Sequence, residues 1–467
     1  MKQPVSILAM VAATQAVWAS QVPSNAEIQS ILAERIQGFE KSVSIVVGVI
    51  EPEGRRVVAY RSMGVNDPRP ATGDTLYEIG SISKVFTSLI LADMVERGEV
   101  KLDDPVVKYL PPGVRVPERN GKQITLYDLS THRSGLPRMP SNFDPKDPTN
   151  PYIDYPIERM YEFLSNYTLP REIGAEYEYS NLGAGLLGDA LAHRAGTDYE
   201  SLVRERVLNP LGMTSTGISL TSDLRSRLAA GHSSAFRLMP APHWDFTQAF
   251  AGAGALRSSA NDLLKFLAAN LGYTRTPLAA SMARMLKVRR DVSENLKIGL
   301  GWRIESQKEI EIVQHGGATY AYRAFAGYDP ASRAGVVVLS NYNGSSGIDD
   351  IGIHLLNPKV PLDVGTGVKP RDLTAVSIDL QLLDAYAGRY SVADNQTWTV
   401  RRDGARMFMR KLAEPEFEIF PEGNHRFFPK IADALFTFYF DKGLPGRASG
   451  LTLHWGFLDP ERGKRVE

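Results

Sequence analysis

The sequence predicts an α+β domain, its antiparallel sheet built from both ends of one segment, followed by a small all-β module. Three observations predict it. Strand-like segments near residues 42–63 return only at Glu311–Gln314, Tyr322–Gly327 and Val336–Leu339, with a mixed helical and irregular middle between them. Ser83–Glu99 is apolar on nearly every face, the pattern of a buried helix. Beyond residue 380 the chain turns to short alternating strands.

Taken in order, Met1-Lys2, the mostly apolar stretch Val5–Val17 and the small-x-small site Val17-Trp18-Ala19 read as an export signal over 1–19. Thirteen apolar-biased residues are too few to span a bilayer, which takes about 20; a buried N-terminal helix is the alternative. Ile28, Ile31, Leu32, Ile36 and Phe39 then recur at helical spacing, with Ser24 or Asn25 as cap. Ser42–Ile50, the turn Glu51–Gly54 and Arg55–Met63 form a hairpin. Six prolines between Pro137 and Pro156 forbid regular structure there. We place the first domain at 20–356, a Pro/Gly-rich linker at 357–380 and the all-β module at 381–467. The module's strands are Thr397–Arg401, Ala405–Met409, Phe417–Phe420, Phe436–Phe440 and Leu451–Trp455, with a hairpin turn at Asp403-Gly404 and barrel closure expected.

Composition narrows the chemistry. The chain has 467 residues, 43% hydrophobic and 23% charged, enough to bury a core in two or three domains. Lys plus Arg and Asp plus Glu both total 53, with no long run of one sign, so no nucleic-acid partner is expected. Cysteine is absent, which excludes disulfides, thiolate metal sites and a cysteine nucleophile. The eight histidines show no metal-ligand spacing, and GxSxG, P-loop and dinucleotide motifs are missing. An exported chain without cysteine suits a bacterial periplasm.

Against those exclusions stands Gly80-Ser81-Ile82-Ser83-Lys84, at the start of the buried helix. Three residues make about one turn, so the Ser81 hydroxyl and Lys84 amine share a face. Burial and the helix dipole both disfavour the ammonium, and a neutral amine can take the serine proton. The second element is Tyr179-Ser180-Asn181: a phenol beside a lysine can be driven toward phenolate and serve as base or acid, and the Asn181 amide can hold a substrate amide. The third is His315-Gly316-Gly317, where two glycines after a strand let a ligand approach the backbone.

In this order the three elements resemble the serine β-lactamase and penicillin-binding protein superfamily, in its class C branch. The flanking text agrees: Tyr77-Glu-Ile-Gly-Ser-Ile-Ser-Lys84, Leu129-Ser-Thr-His-Arg-Ser-Gly-Leu-Pro137, Pro210-Leu-Gly-Met213, Ala251-Gly-Ala-Gly-Ala-Leu-Arg-Ser258, Gly299-Leu-Gly-Trp302 and Gly327-Tyr-Asp-Pro330. The likeness runs from Ala26 to Leu356, and Tyr386-Ala-Gly-Arg-Tyr390 looks like the lipocalin-like barrel module of long family members. It implies a β-lactamase/transpeptidase-like fold with Ser81 as acylated nucleophile and Lys84 and Tyr179 sharing proton transfer. Asn181, His315, Gly316 and Gly317 would line the substrate site, the last three on an edge strand along which a peptide could lie. The N–H groups of Ser81 and Ala318 would form the oxyanion hole.

Two positions depart from the family. The third box begins with His315 where class C β-lactamases have Lys, so a fixed cation for a substrate carboxylate is missing. Arg133 stands where the family usually has Thr, and it or Arg323 is a candidate to restore charge. The leading reading is therefore an exported serine hydrolase acting through an acyl-enzyme on β-lactams or D-Ala-D-Ala-type peptides, without metal or cofactor. Its partners would be small-molecule or peptide substrates, with no transmembrane anchor. A carboxylesterase using the same three boxes is the alternative among enzymes, and a non-catalytic penicillin-binding receptor the alternative of another class.

Overall fold

The computed structural model describes residues 22–36, 43–64, 67–233, 239–343, 347–363, 374–393, 396–411, 416–430, 434–441, 446–455 and 461–466. The export signal and residues 364–373 of the expected linker lie outside the described residues.

Helix α1 (Asn25–Arg35) starts at the Ser24 cap, where Ser24 and Glu27 form a reciprocal capping box. It stops at Arg35, and Phe39, expected within it, lies outside the described residues. Strands β1 (Ile45–Glu51) and β2 (Gly54–Tyr60) make the expected hairpin around Pro52-Glu53. Helix α2 (Ser83–Glu96) is buried at every residue from Ser83 to Met94. It packs with α3 (Asn181–Ala195) and α4 (Gln248–Gly254), and α5 (Ala260–Asn270) packs on the sheet and meets α2 through the Phe86–Phe266 stack. The chain then lays down β3 (Arg290–Ser293), β4 (Leu296–Ile298), β5 (Arg303–Gln307), β6 (Ile310–Ala318), β7 (Arg323–Asp329) and β8 (Ala334–Ser340), and ends the segment with α6 (Asp349–Leu356).

The result is one eight-stranded antiparallel sheet in the order β3-β4-β5-β6-β7-β8-β1-β2, so the N-terminal hairpin docks on the last strand of the segment. Both faces are covered. Val46, Ile50, Val313, Ala326 and Leu339 join the core under α2, α3 and α5, while Ile45, Val47, Val49, Val336 and Val338 pack with Ile28 and Leu32 of α1 and Ile351 and Leu355 of α6. A strand buried on both faces reads as a continuous apolar run, which is why β1 and β8 stand out in the sequence. Strands β3 to β5 were not foreseen: their residues are charged and half-exposed, so they lack that signature.

Past residue 380 a short helix, Leu380–Tyr386, leads into a closed eight-stranded antiparallel barrel. Its first strand, Gly388–Ala393, pairs with its last, Glu461–Arg465, which leaves no open edge. Both of these, and Arg426–Pro429, are additional to the five strands expected from the sequence. The barrel is filled by Tyr390, Trp398, Met407, Met409, Phe427, Phe436, Phe438, Leu451 and Leu453.

Candidate active site

Ser81 sits in a single 3₁₀ turn, Gly80–Ile82, that feeds directly into α2. Lys84 is in the first turn of α2, and its Nζ donates to Ser81 Oγ at 3.0 Å and to the Ala253 carbonyl at 2.7 Å. Both acceptors are uncharged and Lys84 is only 2% exposed, so no carboxylate among the described residues offsets the loss of hydration. Burial, reinforced by the nearby Arg138 cation, holds the Lys84 amine well below its usual value. The helix-start argument from sequence thus has a second source of positive potential that spacing did not reveal.

Tyr179 lies in the extended segment before α3. Lys84 Nζ is 4.8 Å from its ring centroid. Burial raises the phenol's pKa, so Tyr179 stays protonated and the expected drift toward phenolate does not occur. Burial thus favours the uncharged form of both groups, the Lys84 amine and the Tyr179 phenol. His132 braces Tyr179, with ring centroids 4.5 Å apart, and its Nδ1 accepts the Ser180 N–H at 3.2 Å. Because Nδ1 is the acceptor, the His132 proton is on Nε2. His132 reaches this position in a left-handed conformation, φ 55°.

Asn181 opens α3 and turns its amide toward the Tyr152 hydroxyl at 3.5 Å and Met139 Sδ at 3.6 Å. Ser180 caps the helix by accepting the Gly183 N–H. His315 is buried on β6; its Nδ1–H donates to the Gly316 carbonyl at 2.6 Å, and burial lowers its pKa to about 3. It is therefore neutral, in line with the missing fixed cation at this box.

Strand β6 is not an edge strand of the sheet, contrary to the sequence expectation. It runs between β5 and β7, but β5 ends opposite Gln314, so His315–Ala318 pairs only with β7 and leaves its other side open. The Ser81 turn packs against this stretch of β6. A Cβ on Gly317 would lie 2.0 Å from the Ile79 carbonyl oxygen and 3.3 Å from Ser81 N, and one on Gly80 would lie 2.8 Å from Ala318 N. Only glycine at both positions permits this approach, which sets the peptide N–H groups of Ser81 and Ala318 beside each other.

A cavity of about 70 Å³ opens above this point, lined by Ser81, Arg138, Tyr152, Asn181, Trp244, Phe246 and Ala318 among others. Its aromatic wall is interlocked: Tyr152 stacks on Phe246 at 4.6 Å and meets Trp244 edge-on at 5.0 Å. Trp244 is pinned by its N–H to Glu78 Oε1 at 2.8 Å and its Nε1–H to the Thr149 carbonyl at 2.9 Å. Glu78 is 3% exposed; burial pushes its carboxyl up to about 7 against the opposing pull of Arg257, 3.3 Å away.

Neither Arg133 nor Arg323 is among the residues that line this cavity. The Arg133 guanidinium is taken by the carbonyls of Ala175 and Asp291, and Arg323 Nε by Asn343 Oδ1 at 2.7 Å. The cation at the cavity is Arg138, just past Gly135-Leu136-Pro137, which sequence reasoning missed together with His132 as a brace and the aromatic wall. Proximity of Arg138 to a quoted motif was the one available signal. Among the described residues no group of three or more potential ligands is placed to hold a metal ion.

Residues 32–356 match the protein family described as beta-lactamase, and residues 374–465 a domain of unknown function, DUF3471. The chain is 30% identical over 375 residues to the D-alanyl-D-alanine-carboxypeptidase/endopeptidase AmpH of Escherichia coli K12, spanning 74% of this chain and 95% of that protein. It is 26% identical over 403 residues to penicillin-binding protein 4* of Bacillus subtilis 168, spanning 81% and 87% of the two chains. In fold it resembles the octameric penicillin-binding protein homologue of Pyrococcus abyssi, with a TM-score of 0.62 at 22% identity, covering 95% of this chain and all of that one.

Proposed function

Because the chain belongs to the beta-lactamase family of serine hydrolases, we propose that it hydrolyses D-alanyl peptides or β-lactams through an acyl-enzyme on Ser81. The observation that carries this reading is the 3.0 Å contact between Ser81 Oγ and a buried Lys84 amine with no carboxylate partner. Ser81 Oγ attacks the substrate carbonyl carbon while its proton passes to Lys84 Nζ, directly or through the Tyr179 hydroxyl. The carbonyl electron pair moves onto oxygen, where the N–H groups of Ser81 and Ala318 receive it. Collapse of the tetrahedral intermediate breaks the C–N bond, and the departing nitrogen takes a proton from the Lys84–Tyr179 pair. Water then attacks the acyl-enzyme, giving its proton to the same pair, which passes it to Ser81 Oγ as the acyl C–O bond breaks and the acid is released. Asn181, on the rim of the cavity, is suited to hold a substrate amide, and His315-Gly316-Gly317 lead along β6 into Ala318, which lines the cavity.

The sequence of residues 1–19 supports action outside the cytoplasm, after removal of the signal. No helix of the described residues is long and apolar enough to cross a membrane. We assign the chemistry to residues 20–356, with residues 357–380 as linker to the barrel at 381–467.

Incubation with a fluorescent penicillin or a fluorophosphonate, followed by peptide mapping, tests the mechanism. We expect one label, on Ser81, that is lost in Ser81→Ala. A label elsewhere, or folded protein that takes none, overturns it.

A further inference from the structure

The cavity beside Ser81 holds one cation that no described residue neutralises. Lys84 is enclosed and spends its hydrogens on Ser81 and Ala253, and His315 is buried and neutral. Arg138 differs from both. It is exposed, it lines the cavity with Ser81, Asn181 and Ala318, and its guanidinium carbon lies 5.2 Å from the Tyr179 ring centroid. No residue among those described ion-pairs or hydrogen-bonds with that guanidinium. Its backbone is fixed, because the Arg138 carbonyl accepts the N–H groups of Asn181 at 3.0 Å and Leu182 at 3.2 Å. Prolines 137 and 140 restrict the chain on either side. The guanidinium is thus held over an aromatic face next to the nucleophile, with its planar fork of donors unspent.

We propose that Arg138 binds a carboxylate of the substrate, so that this site prefers acyl compounds carrying an acidic group within reach of Ser81. The inference rests on the acyl-enzyme reading above and adds to it the residue that selects the substrate. It also gives a physical reason why the third box can begin with histidine: the cation of the cavity is supplied by Arg138 instead. A planar guanidinium pairs with a carboxylate through two parallel hydrogen bonds, which fixes orientation as well as charge. The carboxylate can belong to the acyl portion or to the leaving group, and the two sources are separable by experiment.

The test compares three esters: 4-nitrophenyl acetate, the mono-4-nitrophenyl ester of adipic acid, with its carboxylate on the acyl side, and 3-acetoxybenzoate, with its carboxylate on the leaving group. The quantity read is kcat/KM for each acidic ester divided by that for the neutral one, at one pH. This ratio cancels any effect of Arg138 on the Lys84 amine, which all three esters share. In Arg138→Gln one ratio should fall on the order of tenfold, the size of one charge-assisted hydrogen bond at a part-exposed site. Arg138→Lys should recover part of it, and added salt should lower the wild-type ratio but not the Gln variant's. Which ester responds identifies the side that carries the acid. Both ratios unchanged within twofold would overturn the inference. Failure of the wild type to cleave any ester would instead count against the acyl-enzyme reading. Binding then decides on Arg138: in a Ser81→Ala background, equal affinity for both the adipate monoester and 3-acetoxybenzoate with Arg138 and with Gln at this position overturns the proposal.

Discussion

Replacing Gly317 by Ala probes the joint between the nucleophile turn and β6. The new Cβ would sit 2.0 Å from the Ile79 carbonyl oxygen, whereas ordinary contact begins at 3.4 Å, so the two backbones must part by about 1.4 Å. Neither can yield cheaply: Ile79 is tied to Leu256 by a 3.0 Å backbone hydrogen bond, and β6 is paired to β7. Overpacking of this kind costs about 1–3 kcal/mol, and a shift on the order of 1 Å between the oxyanion donors and Ser81 Oγ costs about 10²-fold in rate. Gly316→Ala is the control. Its Cβ would meet the Asp349 carboxylate at 2.8 Å, a side chain that can rotate aside, so its rate should fall far less. The assay is kcat for a 4-nitrophenyl ester, normalised to the fraction of protein that takes a penicillin or fluorophosphonate label, alongside a thermal melt. We expect Gly317→Ala to lose about 10²-fold in kcat while melting as a folded protein. A Gly317→Ala enzyme within threefold of wild type, or a Gly316→Ala enzyme equally impaired, would refute the oxyanion geometry drawn here.

Two further perturbations follow from the buried ionisable groups. Lys84→Ala should cost about 10³-fold or more in kcat, as in other nucleophile-and-base units that act together. Because burial and Arg138 hold the Lys84 pKa well below 10.5, wild-type kcat/KM should rise with pH and reach its plateau well short of that value; a profile still climbing there contradicts an amine base. Glu78, at about 7 in the fold against 4.5 ordinarily, binds more protons folded than unfolded between those values, so stability should decline as pH rises through that window. Glu78→Gln should remove that decline, which melting temperatures from pH 5 to 8 would show; parallel curves for the two proteins would exclude Glu78 as the cause.

The chemistry along one turn of chain is legible in the sequence. Ser81 and Lys84 are three residues apart on an apolar helix, and that spacing alone puts amine and hydroxyl within 3.0 Å. Strands β1 and β8 are equally legible, because burial on both faces demands unbroken apolar runs. Strands β3 to β5, with one half-exposed and charge-rich face, leave no such trace, and the barrel's first and last strands are defined by pairing with each other.

Which arginine serves the site is a different kind of question. Arg133, Arg138 and Arg323 are indistinguishable as residue types near motifs. The difference lies in distant carbonyls: Arg133 is consumed by Ala175 and by Asp291, the latter 158 positions away, while no such partner among the described residues meets the Arg138 guanidinium. The aromatic wall has the same origin, for Tyr152, Trp244 and Phe246 come from irregular segments whose paths are set by contacts such as Glu78 to Trp244, 166 positions apart. Even the direction of the Tyr179 shift depends on tertiary burial, since a lysine neighbour alone would lower that pKa and the surrounding protein raises it. Short-range spacing encodes which groups can react; long-range packing sets their charge, their neighbours and the substrate they can hold.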